Sequence, residues 1–283
     1  MSLRIVTDSA SDLPASLAEK HEIEVIPFVV IVDGQEYYDR ETLKAEQLYK
    51  MMQDGKLPKT AQVPYDRLKT VFEKYAKQND SVLYIGFSSA LSGTFQTAVA
   101  VKNELTEEFP DFDMEAIDSK GASAGQALMA IEAAEMAKLG KAKQEILDRI
   151  AFRIAHTAYL FTVDDLVYLQ RGGRIGKAAA FFGGLLHIKP LIGLEDGKLV
   201  PKEKIRGSKK IYRRMVDLLK EQGAEGDTIA ICHAENPEAA STLKKQIEEE
   251  TGASRVMEFP IGAVLGSHTG PGAFAVIFLA DEQ

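Results

Sequence analysis

The sequence predicts an α/β protein of two domains, and three observations carry that prediction. Apolar runs of strand length alternate with helical segments, which implies helices layered on a sheet. The chain has 283 residues, long for one core and comfortable for two. Its second half changes character, because Asp196-Gly197 joins two short runs as an antiparallel hairpin would. The expected architecture has an α/β/α three-layer N-terminal domain with a parallel sheet over residues 1–156. A two-layer α/β C-terminal domain with a mixed sheet follows over 157–283.

Each element has a local reason. Arg4–Thr7 reads as a strand, followed by a helix over Leu13–Lys20 with Pro14 in its first turn and Asp12 as cap. Val25–Val32 is a single apolar strand that ends at Asp33-Gly34, a tight-turn signal. Helices are expected at Ala45–Met52 and Tyr65–Tyr75. The apolar run Val82–Phe87 reads as a strand, then Phe95–Leu105 as a helix. Met114–Asp118 is a short strand, Ala122–Lys138 an Ala-rich helix, Lys143–Ile154 a helix and Ala158–Val163 a strand. The hairpin takes Lys189–Gly193 and Lys198–Lys202. Ser208–Glu221, Thr228–His233, Pro237–Glu249, Arg255–Phe259 and Phe274–Leu279 complete the series.

Composition excludes several classes of function. Hydrophobic residues at 45% and charged residues at 27% describe an ordinary globular protein. A net charge of -8 argues against nucleic acid, because neutralising phosphates needs a basic face. No apolar run approaches the ~20 residues of a membrane span. The start of the chain has no signal-peptide pattern. With one cysteine, Cys232, no internal disulfide can form, so a reducing, cytoplasmic location is expected. The five histidines are dispersed and no cysteines cluster, so no metal is expected. Neither a phosphate-loop nor a dinucleotide glycine fingerprint is present.

The most informative segment is Ser88-Ser89-Ala90-Leu91-Ser92-Gly93-Thr94, between a strand and a helix. The first turn of a helix leaves N–H groups unpaired and carries the positive end of its dipole. Those donors, adjacent hydroxyls and no bulky side chain make an anion site. Without Lys or Arg in the loop, a small anion such as a carboxylate suits it. The plainer reading is that one hydroxyl only caps the helix. Thr7-Asp8-Ser9-Ala10-Ser11-Asp12 occupies the corresponding edge after the first strand, and there a structural role is favoured. Thr60 lies in the loop Lys59–Pro64, whose Pro64 begins the next helix. Arg171-Gly172-Gly173-Arg174 pairs fork-shaped donors around a flexible turn. His268 stands in a final glycine-rich loop, Gly266–Gly272.

These pieces together resemble the DegV family of bacterial fatty-acid-binding proteins. The markers are Thr7-Asp8-Ser9 with Asp12-Leu13-Pro14, the loop Ser88–Thr94, Tyr168-Leu169 with Arg171–Ile175, Lys189-Pro190, and His268-Thr269-Gly270-Pro271-Gly272. The resemblance runs from near Ile5 to the end. It implies two α/β domains with a long-chain fatty acid such as palmitate buried between or within them. It also implies that Thr60 and Ser92, with Gly93 in the same loop, grip the carboxylate. In that family the chain is the lipid-binding subunit of fatty acid kinase, itself no enzyme and without a cofactor. A separate ATP-binding partner makes the acyl phosphate, and phospholipid metabolism is the setting. The family often has Thr-Ser-Gln-Pro where this chain has Thr60-Ala61-Gln62-Val63-Pro64, so the proline is shifted.

By the same resemblance, Arg206 and His268 would lie near the exposed carboxylate or face the partner. Apolar residues beside predicted loop edges, Phe28, Phe161, Leu166 and Ile261, are candidates for the tail pocket. One rival belongs to another class. Gly86-Phe87-Ser88-Ser89-Ala90 is one residue from a nucleophile elbow, and Asp164 and His268 follow in the chain order of an α/β serine hydrolase.

Overall fold

The computed structural model describes residues 2–176, 178–182, 188–223, 228–253 and 255–280. Strand β1 (Leu3–Asp8) passes through a 3-10 turn at Ser9–Ser11 into helix α1 (Ala15–His21). Strands β2 (Glu24–Ile26), β3 (Val29–Val32) and β4 (Gln35–Tyr38) precede α2 (Ala45–Gln53). Next come β5 (Lys59–Ala61), α3 (Tyr65–Lys77), β6 (Ser81–Gly86), α4 (Thr94–Glu108) and β7 (Met114–Asp118). Helices α5 (Ala124–Lys138) and α6 (Lys143–His156) close the first half. The second half opens with β8 (Thr157–Thr162), α7 (Val167–Arg171) and α8 (Ala178–Phe182). The hairpin β9 (Ile188–Glu195) and β10 (Lys198–Arg206) leads to α9 (Ser208–Glu221). Last are β11 (Thr228–His233), α10 (Pro237–Thr251), β12 (Arg255–Pro260), α11 (Ala263–Thr269) and β13 (Phe274–Leu279).

The fold is α/β, as expected. A parallel sheet has the order β2-β1-β6-β7, and a mixed sheet has the order β10-β9-β8-β13-β11-β12. Strands of the parallel sheet all precede residue 119, and strands of the mixed sheet all follow residue 156. We propose the junction of His156 and Thr157 as the boundary between two α/β units.

The sequence reading needs four corrections. Val25–Val32 is not one strand. Proline has no N–H to give a ladder, and the chain changes sheets at Pro27-Phe28, with β2 parallel to β1 and β3 antiparallel to β4 and β5. The resulting three-stranded sheet, β4-β3-β5, was unforeseen, and it puts Thr60 on a strand paired with Val30 rather than in a loop. Asp12 does not cap α1, whose N-cap is Pro14. Asp12 adopts a left-handed conformation and accepts hydrogen bonds from Ser123 and from the Gly262 N–H. His268 lies on helix α11 rather than in a loop. Gly266 fits there because a Cβ would stand 2.6 Å from the Tyr49 hydroxyl, so packing rather than turn geometry demands glycine.

Helix α5 organises the molecule. Apart from Glu132, its residues from Ala124 to Ala134 are all buried. A helix apolar all round belongs inside a core, and α5 packs against β1 and β6 on the parallel sheet and β11 and β13 on the mixed sheet. Its alanines let both sheets approach closely. Alternation along the mixed sheet then splits its side chains. Tyr159 and Phe161 join the core shared with the first half, whereas Leu160 and Val276 join a second core with Met215 of α9 and Leu243 of α10.

Candidate functional site

Where the inner face of the mixed sheet fails to close on the first half, a cavity remains. It encloses about 980 Å³ of empty space, solvent at its mouth included. Its walls are mostly apolar. Phe28, Phe87 and Leu91 come from the first half; Tyr159, Phe161, Leu194, Leu199, Ala275 and Ile277 come from the mixed sheet. Ala122 and Ser123, just before α5, and Cys232 add small side chains. Burial pushes the Cys232 thiol up to about 12, so it is an uncharged wall residue.

The polar groups gather around Thr60, Ser92, Arg174 and His268. Thr60 Oγ1 and His268 Nε2 are 2.6 Å apart, joining β5 to α11. Burial, aided by the nearby Arg174 guanidinium, lowers His268 to about 4, so the imidazole is neutral at pH 7. Its Nδ1 packs against Gly172, where a Cβ would stand 2.1 Å away. Ser92 Oγ lies 3.0 Å from Thr94 Oγ1 and accepts the Thr94 N–H at 3.2 Å. Thr94 Oγ1 in turn accepts the Val63 N–H, which ties the start of α4 to the chain leaving β5. Gly93 is the N-cap of α4, and a Cβ there would stand 2.4 Å from Gln62 Oε1. Glycine at 93 thus lets the carriers of Thr60 and Ser92 touch. A second cleft shares Thr60, Arg174 and His268 with the cavity and adds Lys59, Tyr168 and Arg171.

The candidates from sequence fall into three groups. Thr60, Ser92, His268, Phe28, Phe161 and Ile261 line the cavity. Gly93 shapes its rim without lining it. Leu166 and Arg206 do not line it. Leu166 is a half-buried residue packed against the core before α7, and Arg206 is exposed at the end of β10. Arg206 pairs with Ile188, seven residues along the strand from cavity-lining Leu199, roughly 20 Å at strand rise. Sequence reading missed Tyr159, Leu194, Leu199, Ser123 and Cys232. A period of two from Phe161 would have found Tyr159; the others depend on how the sheets meet.

The serine-hydrolase constellation is not assembled. Ser88 is fully buried and donates to the Gly197 carbonyl at 2.8 Å. His268 bonds Thr60, and Asp164 forms an ion pair with Lys189. The three residues therefore serve different neighbours. Among the described residues, no group of three or more His, Cys, Asp or Glu could hold a metal ion, and no helix is long and apolar enough to cross a membrane.

Comparison with known proteins places this geometry. The family model described as "Uncharacterised protein, DegV family" matches residues 2–281. A DegV domain-containing protein of Clostridium perfringens is 38% identical over 284 residues, covering 99% of this chain and 98% of that protein. The crystal structure of DegV, a fatty acid binding protein from Bacillus subtilis, superposes with a TM-score of 0.89 at 31% identity, covering 99% of this chain and 100% of that one. A stearic acid-binding protein from Eubacterium ventriosum gives a TM-score of 0.92 at 27% identity, covering 99% and 98%. The matched fold and the whole-chain family match lead to one conclusion: this chain belongs to the DegV family.

Proposed function

We propose that the chain binds a long-chain fatty acid in the cavity and presents its carboxylate to a separate ATP-dependent kinase for conversion to acyl phosphate. The observation that carries this reading is an apolar cavity with a hydroxyl–imidazole pair and a serine gathered at its polar part. That division suits a molecule with a long apolar tail and one small anionic head. The relatives from Bacillus subtilis and Eubacterium ventriosum, whose descriptions name fatty acid and stearic acid, support it.

Tail and head have different tasks. Each buried CH₂ contributes about 0.8 kcal/mol, so the tail supplies most of the affinity. Each hydroxyl bond to the carboxylate adds about 1.5–3 kcal/mol and orients the head. A hydroxyl has one proton and two acceptor positions. With Thr94 donating to Ser92, the Ser92 proton is left for the carboxylate. Thr60 donates similarly once neutral His268 offers its own Nε2 hydrogen to the threonine oxygen. With the imidazole neutral, Arg174 is the fixed positive charge near the head.

The second cleft, with Lys59, Arg171 and Arg174, shares Thr60 and His268 with the cavity and gives a phosphoryl donor a route to the head. Exposed Arg206 is available to the partner's surface. The chain supplies the substrate, and the partner supplies the nucleotide chemistry. Mass spectrometry of lipid extracted from the purified protein tests the binding reading. The expected result is about one equivalent of palmitate or a near homologue. No extractable fatty acid, with no uptake of added palmitate by calorimetry, would reject it. Acyl phosphate should then form only when ATP, the lipid-loaded chain and the partner kinase are all present.

A further inference from the structure

We infer that the β9–β10 hairpin is a strap over the acyl cavity and that Ser88 is the positioning residue that latches its tip. The hairpin belongs to the second half of the chain, yet its tip reaches the first. Leu194 and Leu199, one on each strand just behind the turn, line the cavity. The turn itself, Asp196-Gly197, has φ of 45° and 75°, a two-residue hairpin turn with both central residues left-handed. At this tip the Gly197 carbonyl accepts the Ser88 hydroxyl at 2.8 Å, and Lys120 reaches Asp196 at 3.0 Å.

The contact at Gly197 is close. A Cβ there would stand 2.3 Å from Ser88 Oγ and 3.5 Å from the Lys120 Cα. Glycine is required twice over, by the positive φ and by the approach of the serine. Ser88 has no exposed surface, so its hydroxyl faces the hairpin rather than solvent or ligand. This assigns the serine that sequence reading had offered as a nucleophile.

The hairpin forms one edge of the mixed sheet. Strands β9 and β10 pair with each other along their length, from Lys198–Glu195 to Arg206–Ile188. Strand β13 pairs with β8 from Phe274–Thr162 to Leu279–Thr157. Strand β9 is in register with β8 at Phe161–Ile192. The hairpin lies along β8, with Leu191 and Ile192 of β9 buried in the two cores, and its tip is fastened to the first half by one buried hydrogen bond and one exposed ion pair. The ion pair contributes little in water, so the hydroxyl is the latch. Lifting the tip removes Leu194 and Leu199 from the cavity wall together, and that opens a side entrance for a tail that the closed walls enclose.

The functional readout rests on the fatty-acid reading above. Stopped-flow exchange of a fluorescent fatty acid, with albumin as acceptor for release, is run on the full chain and on Ser88→Ala and Ser89→Ala. Ser89 sits in the same loop but bonds Asp118 instead of the hairpin. Ser88→Ala should speed entry and release alike, by roughly tenfold, because it lowers a barrier and leaves the Gly197 carbonyl unpaired in both ligand states. Ser89→Ala should leave both rates at the wild-type values. Unchanged rates in Ser88→Ala, or faster release without faster entry, would overturn the strap. Should Ser88→Ala fail to fold, hydrogen–deuterium exchange on the wild-type chain decides. Amides of Leu191–Val200 should exchange ahead of those of Phe274–Leu279 in the lipid-free chain, and slow when palmitate is added. Equal exchange in the two segments rejects the proposal. A wild-type chain that takes up no fatty acid would remove the lipid reading, while exchange in the lipid-free chain still reports on the strap.

Discussion

The loops that leave β1 and β6 lie side by side at the carboxyl edge of one parallel sheet, and both are short runs rich in Ser and Ala. Only the second reaches the cavity. After β1, every polar side chain is buried and engaged inside the protein. Asp8 accepts the Tyr84 hydroxyl, the Phe87 and Ala10 N–H groups and Gln126. Ser9 accepts the Phe28 N–H, Ser11 donates to the Asp8 carbonyl, and Asp12 holds Ser123 and Gly262. After β6 the engagements run out. Ser88 takes Gly197, Ser89 takes Asp118, and Ser92 is left on the cavity wall with a local partner in Thr94. Density of hydroxyls does not mark a ligand site. What marks it is a hydroxyl that the fold leaves beside empty space.

The strongest way to break this comparison is at Asp8. Asp8→Ala strands the Phe87 N–H and the Tyr84 hydroxyl without an acceptor in a fully buried position. Losing such a hub should cost about 3–5 kcal/mol, read as a lowered urea midpoint. A loss below about 1 kcal/mol would show that the first loop is no more structural than the second.

Substitutions on the cavity wall should do the reverse. Ser92→Ala and Thr60→Ala should each weaken palmitate binding by about 1.5–3 kcal/mol while the thermal midpoint barely moves. Calorimetry and thermal melts on the same samples check both halves. Wild-type affinity in both folded variants would remove these hydroxyls from the head-group seat.

The subtlest effect is on pH. Burial raises Asp12 to about 7 and Asp39 to about 6, and the Asp39 charge raises Asp12 further. A carboxyl whose folded pKa exceeds its unfolded value near 3.8 holds its proton more tightly in the folded state. Its contribution to stability is therefore complete below that unfolded value and declines as pH climbs through the folded one. Asp12→Asn keeps an acceptor for the Gly262 N–H and cannot ionise. Its stability relative to the wild type should rise from about pH 5 to pH 8, measured by denaturant titration. A difference that stays flat over that window would place Asp12 at an ordinary pKa. His268, lowered to about 4, has the opposite sign: its contribution is full above about 6.5 and fades as pH falls.

Much of the molecule was legible beforehand, and particular residues show why. The strand over Met114–Asp118 and the helix at Pro237 follow from short-range causes: apolar period, proline at the first turn and a capping Asn236. The hairpin followed from Asp196-Gly197, because few other residue pairs accept two left-handed conformations. Where a local signal was absent, reading failed. Strand β5 is three residues long and carries no apolar period, so Thr60 read as loop. The α11 segment is rich in glycine, which reads as loop until Tyr49 is seen filling the space beside Gly266.

By itself, then, the sequence determined the α/β class, the change of character in the second half, the hydroxyl loop and the resemblance to the family. Each depends on neighbours within a few turns or a single strand. Tertiary structure alone decided which hydroxyls face empty space and which serve the fold. It brought Thr60 to His268 across 208 residues and Ser88 to Gly197 across 109. It also made Tyr159, Cys232 and Leu199 walls of one cavity. The reason is physical: a helix or strand forms from local sterics and hydrophobic period, whereas a cavity exists only where two independently formed sheets meet around α5 without filling the space between them.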